Sequence, residues 1–161
     1  MAQHASEAAV LLHNLRSAHN VGAIFRTAEA AGVSKIYLTG YTSIPIDRFG
    51  RKRKDIAKVA LGAEELLPWE YVKNPQALIR RLRAEGFRIV AVEQAVDAVD
   101  YRALKPKFPA AFLFGNEVRG LSPSLLRSVD VIAEIPLRGK KESLNVSVAA
   151  GVFLFRTLGR S

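Results

Sequence analysis

The amino-acid sequence predicts an α/β fold with a mostly parallel sheet and helices on both of its faces. Three observations predict it. Short apolar runs rich in β-branched and aromatic residues alternate along the chain with helical patterns. The runs are apolar throughout instead of at every second position, as strands covered on both faces require. Residues that start and stop helices stand between them, and strand–helix alternation of this kind builds a sheet layered with helices.

The first run, AAVLLHNL at 8–15, reads as a strand. Asn20 then caps a helix whose apolar stripe is Val21, Ile24, Phe25, Ala28 and Ala31, with Gly32 as its stop. KIYLTG at 35–40 is the second strand, and KVAL near residue 60 reads as a further short one. Asn74-Pro75 opens a helix that turns Leu78, Ile79 and Leu82 inward and Arg80, Arg81 and Arg83 outward, ending at Gly86. RIVAVE at 88–93, AAFLFG at 110–115 and VIAEIPL at 131–137 are three more strands. Ser122-Pro123 opens a helix with Leu125, Leu126 and Val129 on its apolar side, and the last helix is predicted over 143–158.

Length and composition set bounds. A chain of 161 residues with 49% hydrophobic content fits one domain spanning 1–161, without an interdomain linker or repeat. Without cysteine there are no disulfides, thiolate metal sites or thiol catalysis. The histidines, His4, His13 and His19, have no metal-ligand spacing, so no metal is expected. The N-terminus lacks the pattern of a secretory signal, and the apolar stretch 146–155 is half the ~20 residues that cross a bilayer, so the expected setting is cytoplasmic, with no membrane partner. The net charge of +9, from 24 basic and 15 acidic residues, points to a polyanionic partner such as nucleic acid, with plain solubility as the alternative. The segment 41–58 concentrates that charge in Arg48, Arg51, Lys52, Arg53, Lys54 and Lys58. Read as a long polar loop, it is either a phosphate-contacting arm or simply solvated.

Three clusters carry candidate chemistry, each where a strand gives way to a loop or helix, the end at which parallel sheets bind ligands. In 13–33, Gly22 and Arg26 lie four apart on one helix face, the glycine leaving room for a group to approach the arginine; an ordinary helix with a surface arginine is the bland alternative. In FLFGNEVRGLS, 112–122, Gly115 and Gly120 have the glycine spacing of a triphosphate-binding loop, but Leu121-Ser122 follows where Lys-Ser/Thr is needed, so that reading fails. What remains is a glycine-bounded turn carrying Asn116, Glu117 and Arg119. In 135–158 a strand end, a basic loop with Lys140 and Lys141, and Ser143-Leu144-Asn145 lead into a helix apolar nearly all round, with Gly151 inside it to permit close backbone contact.

NVGAIFRTAEAAGV, LFGNEVRGLS and IPLRGKKESLNVSVAAGV resemble, in order and at plausible separations, the three motifs of the SpoU/TrmH branch of the SPOUT methyltransferases, and KVALGAEELLPWEY at 58–71 is also similar to that family. The resemblance runs from about residue 8 to 158. It implies a C-terminal deep trefoil knot, S-adenosyl-L-methionine as cofactor, a homodimer that completes the active site, and methylation of a ribose 2′-hydroxyl of tRNA or rRNA. Matched residue by residue, the catalytic set is Arg26, Asn20, Glu117, Ser143 and Asn145. The cofactor loops are Leu113, Phe114, Gly115, Asn116 and Glu117, then Ile135, Pro136 and Leu137, then Ser143, Leu144 and Asn145. RNA contact is expected from Arg26, Arg48, Arg51, Lys52, Arg53, Lys54, Arg119, Lys140 and Lys141. The resemblance has Asn20 positioning Arg26 or the ribose, and Glu117 orienting Asn20 or Arg26. Many relatives carry terminal extensions that engage RNA; this sequence shows no separate one. The alternatives are a SPOUT-type base-nitrogen methyltransferase and a non-catalytic RNA-binding protein of the same fold.

Overall fold

The computed structural model describes residues 7–159, which leaves His4 outside the described residues. Seven strands, β1 (Ala8–His13), β2 (Lys35–Thr39), β3 (Trp69–Val72), β4 (Arg88–Val92), β5 (Val99–Asp100), β6 (Ala110–Phe114) and β7 (Val131–Glu134), form one sheet in the order β3-β2-β1-β6-β4-β7-β5. Every pairing is parallel. Two late strands are inserted between earlier ones: β6 between β1 and β4, and β7 between β4 and β5.

The continuous apolar runs have the predicted cause. Successive side chains of a strand point to opposite faces. In β1, Ala8, Val10 and Leu12 join one core while Ala9 and Leu11 join another; in β6, Ala110, Phe112 and Phe114 divide from Ala111 and Leu113 in the same way. Helices α1 (Ala18–Ala31), α2 (Lys54–Ala60), α3 (Ala63–Leu66) and α6 (Val146–Leu158) cover the first face, and α4 (Pro75–Ala84) and α5 (Pro123–Arg127) the second. On the first face Phe153 of α6 meets Phe112 and Phe114 edge-on, with ring centroids 5.1 and 6.1 Å apart.

Asn74 and Ser122 cap α4 and α5 as predicted, each accepting from the N–H three residues on, with proline at the first turn. Several expectations are corrected. KVAL lies in and just beyond α2, because Ile56 and Ala60 recur at helical spacing and bury one face. The short edge strands β3 and β5 were not expected; both are only partly buried, so neither has an unbroken apolar run. The cap of α1 is Ser17, whose hydroxyl accepts from the Asn20 N–H at 3.1 Å; Asn20 lies inside the first turn. The stop at Gly32 holds, with φ +88°. The last helix begins at Val146 and not at 143, because Asn145 caps it by accepting from the Ser147 N–H at 2.9 Å. Gly22 serves helix packing instead of opening a path to Arg26: a Cβ there would lie 2.7 Å from the Ile56 carbonyl oxygen of α2. Gly151 is not squeezed within the chain, since a Cβ would meet its nearest atom, on Thr27, at 3.6 Å.

Glu70 of β3 links three elements, accepting from Lys35 of β2 at 3.0 Å and from both terminal nitrogens of Arg81 of α4 at 2.9 and 3.1 Å. The Arg81 hydrogen bond, supported by Lys35 against partial burial, holds the Glu70 carboxyl below the ordinary 4.5. A carboxyl lowered in the folded state stabilises above its unfolded pKa, and that contribution is lost as pH falls through the folded value. Glu70→Gln should therefore cost no more than about 1 kcal/mol at neutral pH, because the pair is solvent-screened. Urea denaturation should show the gap between variant and parent closing as pH falls below about 4.5; a gap that persists there would remove the charge from the account.

Candidate active site

All seven strands run the same way, so their carboxyl ends, and the loops leaving them, lie along one edge. Three of those loops enclose a cavity. The loop after β4 brings Glu93 and Gln94, the turn after β6 brings Gly115 to Gly120, and the segment after β7 brings Ile135, Leu137, Ser143 and Leu144. Side chains tie the loops to one another. Gln94 Nε2 donates to the Ile135 carbonyl at 2.8 Å, and Glu93 Oε2 accepts from the Leu121 N–H at 2.9 Å. The turn admits little bulk. A Cβ on Gly115 would lie 2.6 Å from Leu121, and one on Gly120, at φ +65°, would lie 2.4 Å from the Glu93 carboxylate.

Asn116 holds the turn from inside. Its Oδ1 accepts from the N–H groups of Val118 and Arg119 at 2.9 and 2.8 Å, while Nδ2 donates to the Asn14 carbonyl and to the Tyr41 hydroxyl, both at 2.9 Å. The ends of β1 and β2 are thereby fastened to the β6 turn. Asn14 sits at φ +59°, and its Oδ1 accepts from the Tyr41 N–H at 3.0 Å. Beneath them buried Thr42 donates toward Leu12 and Thr39 carbonyls and accepts from the Leu15 N–H. Beside them, His13 Nδ1 lies 2.9 Å from the Thr39 hydroxyl, and burial pushes its pKa down.

A second cavity adjoins the first through the turn from Asn116 to Arg119 and is otherwise walled by Arg16, Ser17, Asn20 and Tyr41. Glu117, common to both, accepts from the Ser17 N–H at 3.4 Å, which sets a carboxylate at the positive end of α1.

The predicted residues divide. Phe114, Gly115, Asn116, Glu117, Ile135, Leu137, Ser143 and Leu144 line the first cavity, and Asn20, Glu117 and Arg119 the second. Leu113 is buried on the opposite face of the sheet, and Pro136 and Asn145 lie outside both linings, Asn145 being occupied as the α6 cap. Glu117 accepts its hydrogen bond from Ser17, and none joins it to Asn20 or Arg26. Arg26 is exposed on α1, lines neither cavity, and makes no hydrogen bond with Asn20. Glu93, Gln94, Arg16 and Tyr41 were missed. Their signal was position, since each lies at or just beyond the carboxyl end of a strand, where parallel sheets place their sites.

The segment 41–58 is more ordered than a polar loop. Asp47 Oδ1 accepts from the N–H groups of Phe49 and Arg51, Ile46 bridges Lys52, and α2 begins at Lys54. Arg51 pairs with Asp47 at 3.0 Å, Lys52 with Glu65 at 3.1 Å and Arg53 with Asp55 at 2.7 Å, while the Arg48 guanidinium lies 4.9 Å from the Phe49 ring centre. Lys140 and Lys141 are exposed on the segment after β7. Among the described residues no His/Asp/Glu group could hold a metal, and no helix is long and apolar enough to cross a membrane.

Residues 7–155 match the model of the SpoU rRNA Methylase family. The chain is 34% identical over 146 residues to a tRNA (guanosine(18)-2′-O)-methyltransferase of Aquifex aeolicus, covering 91% of this chain and 66% of that protein. It is also 34% identical over 147 residues to a 23S rRNA (guanosine-2′-O-)-methyltransferase RlmB of Pseudomonas aeruginosa, covering 91% of this chain and 56% of that one. The crystal structure of an AdoMet-bound rRNA methyltransferase from Sinorhizobium meliloti superposes with a TM-score of 0.83 at 36% identity, over 94% of this chain and 55% of that one. The chain thus spans between about half and two thirds of the length of these relatives.

Replacing Asn116 with Ala should lower stability by about 1–3 kcal/mol in urea denaturation, because carbonyl and N–H groups lose their partner in a partly buried turn. Asn116→Asp keeps the acceptor and loses the donor, so its loss should be intermediate. Equal stability of all three proteins would show that the carboxamide does not hold the loops.

Proposed function

This chain belongs to the SpoU rRNA methylase family, and from that premise we propose that it transfers a methyl group from S-adenosyl-L-methionine to a ribose 2′-hydroxyl of tRNA or rRNA. The observation that carries the reading is that two of the three motif segments enclose one cavity and the first opens onto the cavity beside it. The relatives that methylate guanosine 2′ oxygens, and the AdoMet-bound neighbour, support both reaction and cofactor.

The first cavity suits such a cofactor. Its wall of Val92, Phe114, Ile135, Leu144 and Ala149 offers apolar surface to a purine, Glu142 offers a carboxylate to a cationic group, and Gly115 and Gly120 stand where any Cβ would intrude on the turn. When bound there, S-adenosylmethionine supplies an electrophilic methyl group on a positively charged sulfur. The protein contributes alignment. Asn20 and Glu117 face the second cavity and orient the ribose, while Ser143 and Leu144 close the first. Asn145 acts through the entry to α6.

Arg26 grips a phosphate of the RNA and stabilises charge developing on the 2′ oxygen, because a guanidinium stays protonated far above neutral pH. Being exposed away from both cavities of its own chain, it acts across a homodimer interface. The face of α6 bearing Val148, Val152 and Phe155, at 51, 40 and 52% exposure, supplies apolar surface for that pairing. The insertion of β6 and β7 between earlier strands agrees with the trefoil knot implied by the sequence motifs. Arg48, Arg51, Lys52, Arg53 and Lys54, with Arg119, Lys140 and Lys141, extend the RNA-binding surface, and the setting is cytoplasmic.

Incubation with tritiated S-adenosylmethionine and bulk tRNA or rRNA, followed by nucleoside mass spectrometry, should yield 2′-O-methylated nucleosides. Methylated bases with unmodified ribose would instead establish the base-nitrogen reaction. Arg26→Ala should reduce transfer at least a hundredfold, on the order of losing one charge-stabilising donor, with cofactor binding retained; unchanged turnover would remove Arg26 from the mechanism. Neutralising Arg51, Lys52, Arg53 and Lys54 together should weaken RNA binding and flatten its salt dependence by about one unit of slope for each phosphate no longer neutralised. An unchanged slope would make this segment merely solvated.

A further inference from the structure

Tyr41 has no role in the functions assigned above, yet it forms a wall of the second cavity. It is 46% exposed although its position is fixed: its N–H donates to Asn14 Oδ1 and its hydroxyl accepts from Asn116 Nδ2. The neighbouring loop is held as well, since Tyr71 donates to the Gly40 carbonyl at 2.7 Å. An aromatic ring held by both ends of its residue presents its face at no further entropic cost. The Arg16 guanidinium lies over that face, 4.6 Å from the ring centre. Among the described residues no carboxylate forms an ion pair with Arg16, so no ion pair reinforces the contact between cation and ring. Such a contact is weak at an exposed site and exchanges readily. Phe49 also lies under Arg48 and Arg51, but it projects from a turn and lines neither of the two cavities, so it offers no comparable site here.

A flat ring, a removable cation and an adjoining cavity suit a nucleobase. Every base has a π-face that stacks on an aromatic side chain, and recognition of this kind is open only to bases splayed out of a helix, since bases within a duplex are already stacked on both sides. We propose that Tyr41 is the stacking platform for the base of the nucleotide being methylated. Arg16, displaced from the ring, moves to a flanking phosphate, where a guanidinium finds charge-assisted hydrogen bonds. The turn from Asn116 to Arg119, shared by the two cavities, then has the base on one side and the methyl donor on the other, with the ribose at the boundary beside Asn20 and Glu117. This deepens the ribose-methylation reading and rests on it. The acceptor is accordingly an unpaired or extruded nucleotide, and Tyr41 is a positioning residue for it.

The test uses fluorescence and kinetics on the full chain. The sequence has one tryptophan, Trp69, so a Trp69→Phe, Tyr41→Trp protein carries its only indole at the proposed platform. Titration with bulk tRNA, with 23S rRNA transcript and with millimolar nucleoside monophosphates should quench that indole, and a fully paired RNA duplex should not. RNA retained on a filter with the indole unquenched, or equal quenching by the duplex, overturns the proposal. In methyl transfer, Tyr41→Phe keeps the ring and loses the bond to Asn116, so its KM for RNA should stay within about twofold of the parent. Tyr41→Leu should raise that KM about tenfold, with KM for S-adenosylmethionine unchanged. Equal KM values for the two variants would make Tyr41 a scaffold residue and overturn the proposal. If the parent protein methylates no ribose, the functional reading fails by itself, and the fluorescence still decides the stacking claim.

Discussion

The carboxamide of Asn116 makes four hydrogen bonds to four different groups, and in doing so it fastens the ends of β1 and β2 to the turn that follows β6. These three strands lie side by side in the sheet, yet the residues involved are up to about a hundred positions apart in the chain. Backbone pairing aligns the strands but does not dictate how their loops meet. A partly buried amide with all of its polar atoms engaged does, since each bond lost there leaves a group less well satisfied. Glu93 and Gln94 repeat the device on the other side of β6, joining the loop after β4 to the turn and to the segment after β7. Loops that would otherwise be independent are made into a single wall between two cavities.

An all-parallel sheet sends every strand's carboxyl end to the same edge. Here the strand order adds a second effect, because β6 and β7 lie between strands that precede them in the chain, and the loops of early and late segments interleave. The glycine at 120 follows from this crowding, since Glu93 of the neighbouring loop leaves no room for a Cβ, while at Gly115 the room is taken by Leu121 and Gly120 of the same turn. Gly22 answers the same demand at the junction of α1 and α2. Arg26 lines neither cavity of its own chain, which is why its proposed role requires the proposed pairing of two copies.

Much of the fold was legible in the sequence. Four of the five long runs, β1, β2, β4 and β6, are strands buried on both faces, which leaves an uninterrupted apolar signature; β7 shares the apolar run but is only partly buried. β3 and β5 escaped because strands at the sheet's edges need no such signature, and KVAL misled because its apolar residues recur at a helical period that a four-residue window cannot reveal. Of the site, the turn from Gly115 to Glu117 and Ser143-Leu144 were readable through motif resemblance. Glu93, Gln94, Arg16 and Tyr41 were not, since their roles depend on which loop ends the strand order brings together. Asn145 was singled out by the motif resemblance, which did not reveal it as a helix cap.

The loops after β4, β6 and β7 line one cavity, and S-adenosylmethionine bound there should engage all three. Hydrogen–deuterium exchange with and without saturating S-adenosylmethionine tests it most directly. Protection should rise together in peptides spanning 93–98, 115–121 and 135–145, with little change in α4. Protection confined to segments outside these loops, or none at a concentration that saturates binding by calorimetry, would contradict the account.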